Sequence, residues 1–213
     1  MAEIKELWND SGFVLAAIAA GMFITYLVDV QKGLVNIIKL GDPNIEDIEG
    51  ITLFYYVPGF FSIMLPALYL GRGIMLYRTV YCIINIASFI ALGILVIAIA
   101  YARDSMAFLY TATVINGFIT NSCMPLCYEI VTETGYPRSE TLSAGAVHAV
   151  YALFRIILKL VNHLIDDTNS GIESTAYCFV LIILVFMSFV LMFFARVKHR
   201  RLKMELKAEI AQI

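Results

Sequence analysis

The residues best suited to chemistry lie together in one apolar stretch that carries two histidines, an arginine and a lysine. His148, Arg155, Lys159 and His163 are spaced by 7, 4 and 4 residues, so an α-helix would place them on one side. Tyr151 flanks the same arc. Cations and imidazoles in this arrangement can attract a negative group and donate hydrogen bonds, and an imidazole can titrate near neutral pH. The spacing predicts a binding face for a small charged solute.

The helix that positions these groups is only marginally stable in lipid by itself. Near the centre of a span, Arg or Lys costs about 2.5 to 3.5 kcal/mol, whereas Leu, Ile, Val or Phe contributes about −0.3 to −0.6 kcal/mol each. Residues 143 to 165 contain two cations and eleven such apolar residues, so the insertion free energy is about zero. The basic side therefore needs water, a partner helix or a carboxylate, for which Asp29 and Glu129 are the candidates. A solute pathway and a purely structural ion pair both satisfy this need.

The remaining sequence is typical of a protein that crosses a membrane several times. Of its 213 residues, 61% are hydrophobic and 15% are charged, against about 45–50% and about 25% in soluble domains. A span needs about 20 apolar residues. Six stretches qualify, at roughly 12–38, 51–70, 79–101, 107–130, 142–165 and 175–195. We predict an all-α integral membrane fold in which residues 12–195 form six helices, arranged as a 3+3 repeat.

Charge predicts the orientation of these helices. If both termini are cytosolic, ten Lys and Arg residues fall on the inner side and three on the outer side, as the positive-inside rule requires. Residues 1–11 then form an amphipathic cytosolic lead-in, and residues 196–213 form a basic cytosolic tail. The tail carries the main basic cluster, beside the last span, so we interpret it as a membrane anchor and expect no nucleic acid partner. For the location we favour the plasma membrane over an organelle membrane.

Polar residues in two other spans extend the candidate site. Tyr26 and Asp29 lie on a similar side of the first span, and Asn116 and Thr120 belong to a polar stripe in the fourth. The alternative role for that stripe is hydrogen bonding between helices.

Metal, cofactor and enzyme chemistry are not expected. The thiols of Cys123 and Cys127 lie at i and i+4 without a third strong ligand nearby, and His148 and His163 lie about 22 Å apart along a helix. The segment "NHLIDD" has no recognisable nucleophile or metal pattern. We therefore predict no metal, no cofactor and no enzymatic activity.

Residues 124–154 resemble the feline leukaemia virus subgroup C receptor family of the major facilitator superfamily. The residues that carry this resemblance are an inner-end proline followed by Tyr128, Glu129, Glu133, Tyr136, Pro137, Ser139, Glu140, Ser143 and Gly145. The resemblance implies that the chain corresponds to the C-terminal half of a major facilitator fold, with the charged stripe on the eleventh helix. It also implies a partner, either a missing N-terminal six-helix half or a second copy, and a solute such as choline, a related amine or haem.

Some residues depart from that family. Ala152 stands where members commonly have Gln, and Gly71 replaces a usual acidic residue. Arg155 and Lys159 would repel a quaternary ammonium group unless acids neutralise them, which favours a carboxylate-bearing solute.

The leading hypothesis is transport of a small organic solute across the lipid bilayer by alternating access, as half of a twelve-helix carrier. The solute would be haem-like, an amine or carboxylate-bearing. The alternative is a non-transporting six-helix membrane protein, or a truncated transporter fragment that acts through partner helices. The proposed binding residues are His148, Tyr151, Arg155, Lys159, Asn116, Thr120, Tyr26 and Asp29.

Overall fold

The computed structural model of the protein describes residues 9–41, 48–70, 77–100, 105–166 and 173–197. Every regular element in these ranges is an α-helix, as the all-α part of the predicted fold class requires. Most of the predicted lead-in at 1–11 and tail at 196–213, together with Gly71, lies outside the described residues. The helices are α1 Ser11–Gly41, α2 Ile48–Leu70, α3 Tyr77–Ala100, α4 Met106–Gly135, α5 Glu140–Asp166 and α6 Glu173–Phe194.

Short polar residues begin three of these helices. A helix leaves its first N–H groups without partners, and a side-chain oxygen just before it can accept from them. Asp10 accepts from the amide of Gly12 at 3.1 Å before α1, and Ser105 accepts from the amide of Phe108 at 3.4 Å before α4. Ser139 does the same for α5, where the amide of Leu142 donates at 3.2 Å.

Helices α1 and α4 form the centre of the bundle. Helix α1 packs against α4, α5 and α6, whereas α4 packs most extensively against α2 and α3, and α3 also packs against α6. The main pairs correspond when α1, α2 and α3 are matched in order with α4, α5 and α6. The pair α1–α5 then corresponds to α4–α2, and the pair α1–α6 corresponds to α4–α3. The main packing neighbours of the first three helices therefore correspond to those of the last three.

Two glycines allow the central helices to approach their neighbours closely. A Cβ at Gly21 on α1 would lie 2.5 Å from Cγ1 of Val150 and 3.1 Å from the amide nitrogen of Tyr151 on α5. A Cβ at Gly117 on α4 would collide with the backbone carbonyl of Tyr55 on α2. Glycine is needed at both positions because a larger side chain would push the paired helices apart.

Within the described residues, four helices are long and apolar enough to cross a membrane. The qualifying segments are Ser11–Leu34, Ile48–Pro66, Tyr77–Ile99 and Glu140–Val161, which support four of the six predicted spans. Helix α4 has 30 residues, but its polar residues keep its mean hydropathy below that of the four spans. Five of these polar side chains are buried: Thr113, Asn116, Thr120, Asn121 and Ser122. In α6 the apolar segment is the shorter Cys178–Phe194. The fourth and sixth spans stay predictions.

The starts of α1, α3 and α5 lie at one end of the bundle with the ends of α4 and α6. Arg78 at the start of α3 donates from Nη1 to the carbonyl oxygen of Ala195 at 3.4 Å, and Gly12 lies against the carbonyl oxygen of Arg196. Gly135 at the end of α4 lies against Phe13 and Ser143. This is the end that charge counting predicts to be cytosolic.

Candidate functional site

Helix α5 has three sides with different surroundings. One side is buried against the bundle and includes Val147, Val150 and Leu158. A second side is apolar and exposed within the six-helix unit, and it consists of Leu153, Ile156, Ile157 and Leu160. The third side, which we call the polar face, comprises His148, Tyr151, Arg155 and Lys159. His148 and Lys159 are exposed, and Tyr151 and Arg155 are half-buried.

The polar face is connected by side-chain contacts along α5. The Tyr128 hydroxyl on α4 lies 3.2 Å from Nε2 of His148, and the imidazole ring meets the Tyr151 ring edge-on at 6.4 Å. Arg155 donates from Nη1 to the Tyr151 hydroxyl at 3.0 Å, and its guanidinium carbon lies 5.9 Å from the centre of that ring. These contacts limit the rotamers of Tyr151 and Arg155 and hold both along the open edge of α5.

Helix α1 supplies a carboxylate to this face. The close approach at Gly21 is followed one turn later by Thr25, whose hydroxyl lies 3.4 Å from the carbonyl oxygen of Tyr151. One further turn places half-buried Asp29 beside the cations of α5. Asp29 interacts electrostatically with Arg155 most strongly, and also with Lys32 and Lys159. The candidate counter-charge on α1 thus lies within electrostatic reach of both cations on the polar face.

The other predicted binding residues lie in the bundle core. Tyr26, Asn116 and Thr120 are fully buried, whereas the polar face is open. The Thr120 hydroxyl is 3.1 Å from the Tyr55 hydroxyl of α2, and it also donates to the carbonyl oxygen of Asn116 at 2.7 Å. The structure therefore separates the eight predicted site residues into an open group of five on α5 and α1 and a buried group of three.

Tyr26 and Asn116 lie next to each other between α1 and α4 but outside hydrogen-bond geometry. The Tyr26 hydroxyl and both amide atoms of Asn116 have no hydrogen-bond partner among the described residues. Buried polar groups normally find a partner, so this contact has capacity for an additional donor or acceptor.

Sequence reasoning missed several residues that complete these two groups. Tyr128 was part of the family resemblance but was not assigned to the site, although its bond to His148 joins α4 to the polar face. Gln31 donates from Nε2 to Oδ1 of Asn121 at 3.0 Å and so connects α1 with α4. The sequence signal for this contact is the side-chain amide of Gln31, a polar group in an otherwise apolar span two residues after Asp29.

The titratable residues do not form a metal centre in the described part of the chain. There, no group of three or more His, Cys, Asp or Glu residues could hold a metal ion. Cys123 and Cys127 are buried in α4, and Cys82 and Cys178 are half-buried; all four are free thiols. The side chains of the open group can attract charge and form hydrogen bonds.

Comparison with known proteins identifies a transporter as a relative. No family model matches the chain. The choline/ethanolamine transporter FLVCR2 of Rattus norvegicus is 22% identical over 178 residues, which is 83% of this chain and 32% of the relative. The chain thus spans about a third of the relative's length. This similarity and the apolar helices support a multi-pass membrane protein of the transporter type.

Proposed function

We propose that this chain is a six-helix half of a solute carrier that works by alternating access. The observation that carries this proposal is the polar face of α5, on which charged side chains lie outside the packed core of a helix that can cross a membrane. Charge in such a position is costly unless it faces water or other protein, so it usually marks a solute pathway. The similarity to a transporter supports the same conclusion.

The packing of the helices supports a 3+3 repeat. Transporters are often built from two inverted triplets of helices, with the solute site near the midplane where the repeats meet. Exchange of the two triplets leaves the main packing pairs of this bundle unchanged. Gly21 and Gly117 fit this relationship, because each lies on the first helix of its triplet and meets the second helix of the other.

The least buried helices indicate where the other half of the carrier would pack. Among the four apolar spans, α2 and α5 bury the smallest share of their residues. These are the second helices of the two triplets, and α2 exposes a continuous set of large apolar side chains: Leu53, Phe54, Tyr56, Val57, Phe60, Phe61 and Met64. We propose that α2 and α5 meet six further helices, supplied by an N-terminal half or by a second copy. Rocking of the two halves would then expose the polar face to each side in turn.

The proposal includes an orientation and a place for the solute. With the termini cytosolic, Arg78, Arg138 and Arg196 lie at the inner end of the bundle, as the positive-inside rule favours. The proposed membrane is the plasma membrane. The solute is haem-like, an amine or carboxylate-bearing, and it contacts His148 and Tyr151 as well as the two cations.

The polar core has a different role in this proposal. Tyr26, Asn116 and Thr120 are too deeply buried for direct contact with solute in the described conformation. They contribute by holding α1, α2 and α4 together. A non-transporting six-helix protein that acts through partner helices is the alternative, and it would also use these buried contacts.

Cysteine accessibility tests whether the polar face lines an aqueous path. In a background without the four native cysteines, Lys159→Cys and His148→Cys are compared with Leu153→Cys and Ile157→Cys on the apolar side of the same helix. We expect a charged, water-soluble thiol reagent to modify the first pair in membranes and not the second pair. Equal modification of both pairs, or modification of neither, would refute an aqueous pathway. Uptake of labelled choline, ethanolamine and benzoate into proteoliposomes then separates a carrier from a non-transporting protein.

A further inference from the structure

Arg155 has hydrogen-bonding capacity that the six helices do not use. Its Nη1 donates to the Tyr151 hydroxyl, but its Nε is buried and has no hydrogen-bond partner among the described residues. A guanidinium presents its N–H groups in a planar fork that matches the two oxygens of a carboxylate. Arg155 therefore keeps donor capacity beyond its bond to Tyr151, on a half-buried side chain of the polar face.

The carboxylate of Asp29 is shared between cations. It interacts with Arg155 most strongly and also with Lys32 and Lys159. Lys159 is exposed and Arg155 is half-buried on the polar face. Cations at membrane depth are unfavourable unless water, protein or an anion faces them, so this part of the polar face favours an anion from outside the bundle.

We propose that Arg155 and Lys159 bind an acidic group of the transported solute, most simply a carboxylate, and that Asp29 is the internal anion with which it competes. The two cations are one helical turn apart, about 5 to 6 Å between their Cβ atoms, so one acidic group can contact both. Tyr151 orients the guanidinium through its hydroxyl, and Asp29 stabilises the cations when solute is absent. This inference rests on the proposed transport function and specifies its substrate class.

The same charges disfavour a solute whose main recognised group is a quaternary ammonium. Such a cation would be repelled by Arg155 and Lys159, and the carboxylate of Asp29 already interacts with both of them. The group that we propose for recognition by this chain thus differs from the choline and ethanolamine in the name of the rat relative. An acidic group could also belong to a lipid, and the membrane composition distinguishes that source.

The test measures how small ions stabilise the purified full chain in nanodiscs made only of phosphatidylcholine. Thermal unfolding is followed while sodium benzoate is titrated, with sodium chloride and choline chloride at the same ionic strength as controls. We expect benzoate to raise the unfolding temperature in a saturable way. Arg155→Gln and Lys159→Gln should each weaken the apparent affinity about tenfold or more, as expected for loss of a hydrogen bond to a charged group.

Two further variants make the test specific. Asp29→Asn removes the competing anion and should tighten benzoate binding, an effect that general destabilisation would not produce. Arg78→Gln removes a cation at the inner end of the bundle, away from the polar face, and should leave benzoate binding unchanged. Unliganded unfolding temperatures and gel filtration show whether each variant is folded, and Arg155→Lys keeps the charge without the planar fork if Arg155→Gln does not fold.

The possible failures have different meanings. Stabilisation by choline with no response to benzoate overturns the acidic-group assignment but remains consistent with the proposed transport function. The titration is repeated in a second set of nanodiscs that contain phosphatidylglycerol. Stabilisation that follows the phosphatidylglycerol content, without a benzoate response in either set, assigns the cations to a lipid headgroup and also overturns the acidic-group assignment. No response to any ion overturns the inference as well, whereas the transport proposal is decided separately by cysteine accessibility and uptake.

Discussion

Replacement of Gly21 by alanine should destabilise the bundle, because it pushes α1 away from α5. The added Cβ would lie 2.5 Å from Cγ1 and 2.8 Å from Cβ of Val150, which is closer than carbon atoms pack. Overpacking of this kind costs about 1 to 3 kcal/mol. The crossing lies beside Tyr151 of the polar face and two turns before Asp29, so displacement of α5 moves Tyr151 and Arg155 relative to Asp29 and should weaken solute binding as well.

The control is the same change at a glycine with free space around it. A Cβ at Gly93 on α3 would meet nothing within 4 Å. Both changes share the gain of about 1 kcal/mol in helix propensity for alanine over glycine, so this contribution cancels in the comparison. The free energy of unfolding should therefore be lower in Gly21→Ala than in Gly93→Ala by about 1 to 3 kcal/mol.

Thermal unfolding in detergent micelles measures this difference. For a chain of this length, 1 kcal/mol corresponds to about 2 to 4 °C, so the two variants should differ by about 2 to 12 °C. The double variant Gly21→Ala/Val150→Ala should recover part of the loss, because Cγ1 of Val150 is then absent. Equal unfolding temperatures for Gly21→Ala and Gly93→Ala would refute the close contact of α1 with α5.

The remaining predictions concern buried groups in the bundle. Tyr81→Phe should destabilise the protein by about 0.5 to 1.5 kcal/mol, because it removes the contact of the Tyr81 hydroxyl with the Ser188 hydroxyl at 2.7 Å and its hydrogen bond to the Ala19 carbonyl oxygen at 3.2 Å. Tyr26→Phe should change stability much less, since the Tyr26 hydroxyl has no hydrogen-bond partner among the described residues. Thermal unfolding of both variants measures this difference, and an equal loss of stability would contradict the different hydrogen bonding of the two hydroxyls. Cys123 and Cys127 should remain unmodified by a maleimide until sodium dodecyl sulfate unfolds the bundle, as counted by mass spectrometry, because both thiols are buried. Modification of either cysteine in the folded protein would show that α4 is not at the centre.

Helix content and the polar side of α5 were predictable because both follow from local patterns. Apolar stretches of span length specify helices in lipid, where backbone groups must be satisfied within the segment. His148, Arg155 and Lys159 share one side because the helical period alone places them there. The structure adds that Leu153 and Ile157 form a separate exposed side, so the boundary between polar and apolar surroundings runs along α5 itself.

The roles of the polar residues in α4 were not predictable in the same way. Asn116 and Thr120 repeat at helical spacing just as the basic residues of α5 do, yet they are buried in the core. A polar stripe looks alike in sequence whether it faces a cavity or another helix. The choice depends on which helices pack against it, and those helices are distant in sequence.

The sequence by itself determined the helices, their approximate ends and the side of α5 that carries charge, because hydropathy and helical periodicity are properties of neighbouring residues. Only the tertiary structure decided that Asp29 lies beside Arg155, that Tyr128 reaches His148, and that Tyr26 is enclosed. Those relations arise where helices cross, and the crossings depend on glycines and side-chain shapes that meet only after the chain has folded.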